Sequence, residues 1–224
     1  MEPLEVLRRT TFLAEATPTG LSRLAGCSTW RHLTRGEFLF HIGEPVSRLY
    51  VIVTGRVAAA VTSSQGTPLL FHVAAAGEAA GQVDLLHGGS HTASAQALTA
   101  VRALAIPRRA CVDLLEAEPA VLLRHARHLA SIVSALTDTM GDLVFLDLER
   151  RLARVLAEAS VDGKLIDLRL TQSELAARLG VTRQSVNRAL VKLASRGLIV
   201  MESGRPVRLL DPDVLAAFVA SGSR

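Results

Sequence analysis

Residues 171–190, TQSELAARLGVTRQSVNRAL, form the most specific structural pattern in this sequence. Thr171 precedes Glu174 by three residues, which is the spacing of a capping box that begins a helix. Gly180 permits a sharp turn, because glycine adopts left-handed backbone conformations at little steric cost. Thr182 carries a hydroxyl suited to capping a second helix. The stretch therefore predicts two short helices joined by a tight turn, a helix-turn-helix.

The second helix of this motif has an apolar face and a polar face. The apolar residues recur at helical spacing and predict a buried side made of Val186, Ala189, Leu190 and Leu193. The opposite side carries arginine and amide side chains, which match the hydrogen-bonding edges of bases in a DNA major groove. A helical hairpin with an incidental polar face is the alternative, but caps, turn and arginines agree with one another. We predict DNA contacts from Thr171, Gln172, Ser173, Thr182, Arg183, Gln184, Ser185, Asn187 and Arg188.

The flanks of the motif and the charge distribution extend this interpretation. Two strand-like runs, residues 198–201 and 207–210, follow the second helix around a turn at residues 203–206, which predicts a winged form. Residues 150–224 contain 13 Lys and Arg against 7 Asp and Glu, whereas residues 1–149 contain 12 against 14. A basic C-terminal third favours a polyanion partner, although a solvated basic face has the same composition.

Residues 33–106 show a β pattern instead. Runs of five to seven residues rich in strand-forming side chains alternate with glycines, which is typical of a compact antiparallel barrel or roll. Short helices are predicted before it, near residues 3–14 and 18–26.

A long helix is predicted from about Pro119 to Phe145. Its apolar residues alternate at spacings of four and three, as in the a and d positions of a coiled coil. Leucine at d with small or β-branched residues at a favours a parallel homodimer. Burial against the chain's own β-domain is the alternative, but a seam of roughly 30 Å is too long for a small roll to cover. The predicted dimer interface consists of Leu122, Ala126, Leu129, Val133, Leu136, Met140 and Leu143.

Taken together, the chain resembles the cAMP receptor protein / fumarate-nitrate reduction regulator (CRP/FNR) family. The resemblance is carried by GEFLF and GE at residues 36–40 and 43–44, LYVI and GRV at residues 49–52 and 55–57, FLD at residues 145–147, and the helix-turn-helix. It implies an α+β fold with an N-terminal antiparallel β-roll, a cyclic-nucleotide-binding-like jelly roll that acts as effector domain, over residues 1–118. It further implies a dimerisation helix and hinge over residues 119–146, and a C-terminal winged helix-turn-helix over residues 147–224.

The resemblance also implies what the chain does. We expect a homodimeric transcription regulator that binds a pseudo-palindromic operator in double-stranded DNA, with RNA polymerase as a candidate partner. Base contacts are expected from Arg183, Gln184 and Arg188. The family often has glutamate where Gln184 stands, so the base pair read there is expected to differ.

The effector segment departs from the family's cyclic-nucleotide cassette. Gln82 stands where a glutamate holds the ribose hydroxyl, and His91 stands where an arginine clamps the cyclic phosphate. A neutral imidazole does not replace a bidentate, permanently charged guanidinium. We therefore expect a different effector, or none, in place of ordinary cAMP binding. The candidate pocket residues are Gly81, Gln82, His91, Thr92, Leu136 and Thr137, of which Leu136 stands where a hydroxyl residue often meets the adenine.

Other kinds of site have less support. Cys27 and Cys111 lack the paired spacing of a disulfide framework, a zinc knuckle or an iron–sulfur cluster. His125 and His128 lie three apart on the long helix and, with histidines of the roll, form a possible metal or haem ligand set. No acidic or cysteine ligands complete that set, so we predict no metal and no certain cofactor.

Enzymatic, signalling and membrane roles have less support in the sequence. The sequence has no nucleophile elbow, phosphate loop or paired-carboxylate motif, so we predict that it is not an enzyme. A nucleotide- or small-molecule-binding signalling module with weak or no specific DNA binding is the main alternative, and the arginines of the second helix weigh against it. No apolar run approaches the roughly 20 residues of a membrane helix, and the N-terminus lacks a signal-peptide pattern. We therefore expect a cytoplasmic protein with no membrane partner.

Overall fold

The structure is a computed structural model that describes residues 1–64, 66, 68–161, 165–166, 171–201, 208–209 and 211–221. The chain forms two compact units. The N-terminal unit comprises Met1–Val61 and Leu70–Ile132, and the C-terminal unit comprises Thr62–Leu69 and Val133–Arg224.

The N-terminal unit begins with helices. α1 spans Pro3–Arg8, a 3-10 turn spans Thr11–Leu13, and α2 spans Pro18–Cys27. The prediction of a single helix near residues 3–14 was therefore wrong. The helix does not continue because the backbone of Thr10 is extended, with φ −80° and ψ 122°, and the buried Thr10 hydroxyl donates to the carbonyl of Val6 at the helix end.

In the described part of the N-terminal region eight strands follow, and they form two four-stranded sheets. The order in one sheet is β1-β8-β3-β6 and in the other β2-β7-β4-β5, with antiparallel pairing in every pair whose register is given. This arrangement confirms the predicted antiparallel roll. The strands are β1 Thr29–Leu33, β2 Phe38–Phe40, β3 Arg48–Thr54, β4 Val57–Thr62, β5 Pro68–Ala74, β6 Ala79–Ala80, β7 Ser94–Ala97 and β8 Val101–Pro107.

Strands β3 and β8 are buried on both faces. Leu49 pairs with Ile106, and both belong to the core beneath the helices. The next residues along β3 point the opposite way, so Tyr50 and Ile52 fill the interior of the roll instead. Two cores therefore share these central strands.

Three helices complete this part of the chain. α3 spans Asp84–His87, α4 spans Arg108–Ala117, and α5 spans Pro119–Phe145, the range that the sequence predicted. Val121 and His125 near the start of α5 are buried. The predicted seam is exposed, except that Leu129 is half-buried.

The C-terminal unit contains four helices among its described residues beyond α5. α6 spans Leu148–Glu158, α7 spans Gln172–Leu179, α8 spans Arg183–Ser195, and α9 spans Pro212–Ala220. α9 was not predicted from the sequence, although Asp211 caps it and Pro212 begins it. Their apolar sides form one core that includes Leu152, Leu156 and Leu190.

Short strands accompany these helices. β9 Ser160–Val161 and β10 Leu165–Ile166 form an antiparallel pair that the sequence analysis did not predict. β11 Ile199–Val200 pairs with β12 Arg208–Leu209, which confirms the predicted two-stranded ribbon, and the four strands order as β11-β12-β10-β9. The predicted turn at residues 203–206 lies outside the described residues. None of the helices in the described ranges combines the length and apolarity needed to cross a bilayer.

Candidate functional site

The helix-turn-helix is built by local capping contacts. The Thr171 hydroxyl accepts from the amide of Glu174 at 3.2 Å, and the Glu174 carboxylate accepts from the amide of Thr171 at 2.6 Å. The Thr182 hydroxyl accepts from the amide of Ser185 at 3.2 Å and begins α8 in the same way. Both helices therefore start where the sequence places a threonine, because that side chain satisfies an otherwise unpaired amide.

The turn between the two helices depends on Gly180. Its backbone has φ +66°, in the left-handed region, and its amide donates to the carbonyl of Ala177 at 3.2 Å. The next amide, of Val181, donates to Ala176 at 3.0 Å. These bonds satisfy carbonyls at the end of α7 and redirect the chain into α8.

The two faces of α8 are those that the sequence predicted. Val186, Ala189, Leu190 and Leu193 are buried in the core of the C-terminal unit. The N-terminal half of the exposed face carries four side chains able to donate to bases or phosphates: Arg183, Gln184, Asn187 and Arg188. The helix therefore presents polar side chains on one face while its apolar face is packed in the core.

The arginines near the start of α8 contact only neutral polar groups among the described residues. Arg183 Nε donates to the Gln172 amide oxygen at 3.4 Å, and Arg188 Nη2 donates to the Ser185 hydroxyl at 3.3 Å. The Thr182 hydroxyl lies 3.0 Å from that of Ser185. The Arg183–Gln172 bond joins the start of α7 to α8, whereas the Arg188–Ser185 bond lies within α8. Neither bond neutralises a guanidinium, so both charges are available for an external anion.

Three other described cations near α7 and α8 are paired with carboxylates. Lys192 Nζ lies 2.7 Å and Arg196 Nη2 3.2 Å from the carboxylate of Glu149. Arg178 lies 2.9 Å from the carboxylate of Glu158. The available positive charge on this part of α8 is therefore concentrated at its N-terminal half.

The remaining predicted DNA contacts lie at the start of α7. Thr171 is the cap, Gln172 binds Arg183, and Ser173 is exposed on the first turn. The structure therefore brings the predicted residues of α7 and α8 together on one side of the motif. Contact of each with DNA stays a prediction.

The effector segment holds a buried hydrogen-bond cluster. The carboxylate of Asp84 lies 3.1 Å from His91 Nδ1 and accepts from the Thr92 hydroxyl at 2.9 Å. The His91 ring stacks on Phe40 with 3.6 Å between ring centroids. Gly81 turns the chain into this segment with φ +87°. Sequence reasoning missed Asp84, although it lies in the same segment as the predicted residues.

This cluster changes the electrostatics of the predicted phosphate position. His91 is only 4% exposed and Asp84 only 5%. The Asp84 carboxyl group occupies the edge of the imidazole at Nδ1, so this ring atom is not free to bind an incoming phosphate. The side chains of His91 and Thr92 are therefore already hydrogen-bonded within the chain, to Asp84.

Gln82 is engaged with the long helix. Its amide nitrogen lies 2.7 Å from His128 Nε2, a partner that the sequence analysis did not predict. Leu136 and Thr137 are exposed further along α5, and the Thr137 hydroxyl donates to the carbonyl of Val133 at 3.0 Å. The Thr137 hydroxyl is thus used within its own helix.

Metal and thiol chemistry have no assembled site in the described part of the chain. No group of three or more His, Cys, Asp or Glu side chains there is arranged to hold a metal ion. Burial raises the pKa of the Cys111 thiol to about 12, so this thiol stays protonated at neutral pH.

Comparison with known proteins assigns both parts of the chain. The model for the cyclic nucleotide-binding domain matches residues 30–118, and the model for the Crp-like helix-turn-helix domain matches residues 150–218. Among curated proteins, the CRP-like cAMP-activated global transcriptional regulator of Mycobacterium tuberculosis is 29% identical, over 95% of this chain and 97% of its own length. The cAMP-activated global transcriptional regulator CRP of Salmonella typhimurium is 28% identical, over 72% of this chain and 80% of its own length.

Solved structures agree on the fold. The c-di-GMP responsive global regulator CLP of Xanthomonas campestris superposes with a TM-score of 0.71 at 22% identity, covering 86% of this chain and 99% of CLP. A CooA mutant from Carboxydothermus hydrogenoformans superposes with a TM-score of 0.73 at 22% identity, covering 87% of this chain and 88% of CooA.

The chain combines a roll of the cyclic nucleotide-binding type, a long helix and a helix-turn-helix whose second helix exposes arginines. This combination defines a transcription regulator with a domain of the cyclic nucleotide-binding type. The chain belongs to the CRP/FNR family.

Proposed function

We propose that the chain is a homodimeric, sequence-specific DNA-binding transcription regulator whose sensor domain does not bind cAMP in the usual way. It acts in the cytoplasm on a pseudo-palindromic operator, and RNA polymerase is its proposed partner in transcription.

The observation that supports DNA binding is the pair of exposed arginines on α8. Arg183 and Arg188 are exposed, bound only to neutral groups among the described residues, and mounted on a helix whose other face is fully packed. A recognition helix of this type enters the major groove with its N-terminal residues. Guanidinium groups there bind guanine edges in bidentate fashion, which gives sequence preference in addition to affinity.

The apolar seam of α5 supports the dimer. Val133 is 62% exposed, Met140 67% and Leu143 49%, which is unusual for three apolar residues on one stripe of a single helix. Burying such a side chain fully contributes about 1.5–3 kcal/mol, so several of them on each helix suffice to drive pairing. A second copy of the same helix is the occupant that a heptad seam fits.

Two-fold symmetry determines the form of the operator. A dimer presents two α8 helices to successive major grooves, about one helical turn or roughly 34 Å apart. The half-sites are therefore inverted copies of one sequence, and each substitution in α8 acts twice per operator.

The sensor part of the proposal rests on two substitutions and their contacts. The Mycobacterium and Salmonella relatives are named for activation by cAMP. In this chain Gln82 is bound to His128, and His91 is bound to Asp84. Neither carries the fixed charge that a cyclic phosphate or a ribose hydroxyl would require at these positions.

Selection from a random duplex library tests the DNA-binding part. The full chain should enrich an inverted repeat, and binding to it should exceed binding to a scrambled duplex by at least about 10³-fold. Loss of affinity with rising salt should be steep for both duplexes, because phosphate contacts are shared. Recovery of no preferred sequence would instead favour a signalling module that has lost specific DNA binding.

A further inference from the structure

Glu149 lies at the centre of a charge cluster between α6 and α8. Its side chain is only 15% exposed, although it is the second residue of its helix. One carboxylate oxygen, Oε1, accepts from Lys192 Nζ at 2.7 Å, and the other, Oε2, lies 3.2 Å from Arg196 Nη2. A single carboxylate of α6 therefore holds two cations of α8, one on each oxygen.

The two cations of this cluster are not held equally. The guanidinium carbon of Arg196 also lies 5.2 Å from the centroid of the Phe218 ring, within the range of a cation–π contact. The side chain of Lys192 is 64% exposed, and Glu149 is its one ion-pair partner among the described residues. Neutralising Glu149 therefore releases Lys192, whereas Arg196 keeps its contact with the aromatic ring.

A released Lys192 would extend the proposed DNA-binding face of α8. It follows Arg188 by four residues, so the two side chains lie about one turn apart on the same side of the helix. Both residues are exposed. The lysine ammonium is a compact point charge, and contacts to phosphate carry no direct sequence information. A free Lys192 would therefore add affinity for every duplex alike.

We propose that Glu149 is a positioning residue that determines the sequence specificity of DNA binding. By holding Lys192 against α6, it keeps this cation from the phosphate backbone and so limits sequence-independent affinity. The inference rests on the proposed DNA-binding function. Under it, the base contacts made by the N-terminal half of α8 account for a larger share of the total affinity.

Salt dependence of binding to a scrambled duplex tests this role in the full chain. Glu149→Gln keeps the size of the side chain and removes its charge. Each released Lys192 should add about one phosphate contact, so the slope of log affinity against log salt should steepen by about 0.9 per helix-turn-helix. Between about 50 and 200 mM salt, this is an additional change of about threefold in affinity. The preference for the selected operator over the scrambled duplex should fall.

Two further variants assign the effect to Lys192. Lys192→Gln alone should leave the slope unchanged, because this charge is already paired in the parent chain. Glu149→Gln with Lys192→Gln should restore the slope of the parent chain, as a double-mutant cycle requires of a pair that acts together. A merely structural role of Glu149 would weaken operator binding without a steeper slope, and that result would contradict the proposal.

Asp213→Asn is the matched control for the loss of a negative charge. Asp213 is exposed on α9 in the same unit and, within the described ranges, has no ion-pair partner. This variant should keep the slope of the parent chain. The thermal melting of every variant is compared with that of the parent chain, so that unfolding is not mistaken for a change in binding.

The outcomes separate this inference from the proposed function. An unchanged slope in Glu149→Gln, an equal rise in Asp213→Asn, or a rise that persists in the double variant overturns the role of Glu149. A parent chain that binds DNA without preferring any sequence overturns the proposed function, and the slopes on the scrambled duplex still decide whether Glu149 restrains Lys192. Absence of any DNA binding overturns both.

Discussion

His91 Nδ1 lies 3.1 Å from a carboxylate oxygen of Asp84, inside the segment where the family's cyclic-nucleotide cassette is found. The pair is buried, and the Thr92 hydroxyl donates to the same carboxylate. In this cluster, a histidine bound to Asp84 stands where the family has an arginine that binds the ligand. The contact within the chain therefore takes the place of the contact with a ligand. The proposed selectivity of the segment against cAMP therefore depends on Asp84 as much as on His91.

Calorimetric titration with cAMP should detect no binding in the parent chain. Gln82→Glu with His91→Arg supplies the two charged groups, but an arginine beside the buried carboxylate pairs with Asp84 first. Adding Asp84→Ala should therefore give the larger gain in cAMP affinity. A strong cAMP response in the parent chain, or in the double variant without Asp84→Ala, would contradict the role assigned to this carboxylate.

His125 makes the N-terminal unit sensitive to acid. It is fully buried, and neither ring nitrogen has a hydrogen-bond partner in the described part of the chain. Burial lowers the pKa of His125, and His128 lowers it further. The unfolded chain, with an imidazole pKa near 6.5, therefore binds this proton more readily, so the free energy of unfolding falls as pH drops below about 6.5.

His125→Phe should remove this contribution. It keeps an aromatic ring against Phe12 and removes two unsatisfied polar atoms, so we expect a gain of about 1–3 kcal/mol at pH 7 and a larger gain at pH 5.5. Urea unfolding at both pH values measures it. Trp30 is the only tryptophan in the chain and packs against the same core as Phe12, so its fluorescence reports on this unit. Equal gains at the two pH values would contradict the assignment to His125 titration.

The predicted dimer depends on the seam of α5. Leu129→Glu with Leu136→Glu places charges in its middle, and the double variant should be a monomer by light scattering and lose operator binding. Ser131→Glu with Ala135→Glu adds the same charge to the same helix outside the seam, so this control should stay dimeric. A double seam variant that remains dimeric would show that another surface joins the two copies.

Local signals explain what the sequence could predict. Thr171, Gly180 and Thr182 each act through contacts within a few residues, so caps and turn could be read directly, and the heptad spacing of α5 gave its length. Asp84 and His128 could not be identified in this way. Their partners lie 7 and 46 residues away along the chain, and only the folded roll brings the second pair together.

The last prediction concerns the recognition of DNA bases by α8. Arg183 and Arg188 lie five residues apart, about a turn and a half along the helix, so they address different base pairs of one half-site. Arg188→Ala should remove a bidentate guanine contact, which costs about 1–3 kcal/mol and flattens preference at one position of each half-site. Gln184→Glu replaces a donor and acceptor with an acceptor only, so preference at a neighbouring position should shift towards cytosine.

Arg178→Ala is the control for these variants, because Arg178 is exposed on α7 and paired with Glu158. It should leave the selected sequence unchanged. Selection from a random duplex library, repeated for the parent chain and the three variants, measures all of these effects at once. Symmetry provides an internal check, since each change must appear at both half-sites of a dimer. If Arg188→Ala instead weakens binding to all sequences alike and lowers the salt dependence by about one phosphate contact, Arg188 binds the backbone and another residue reads that base.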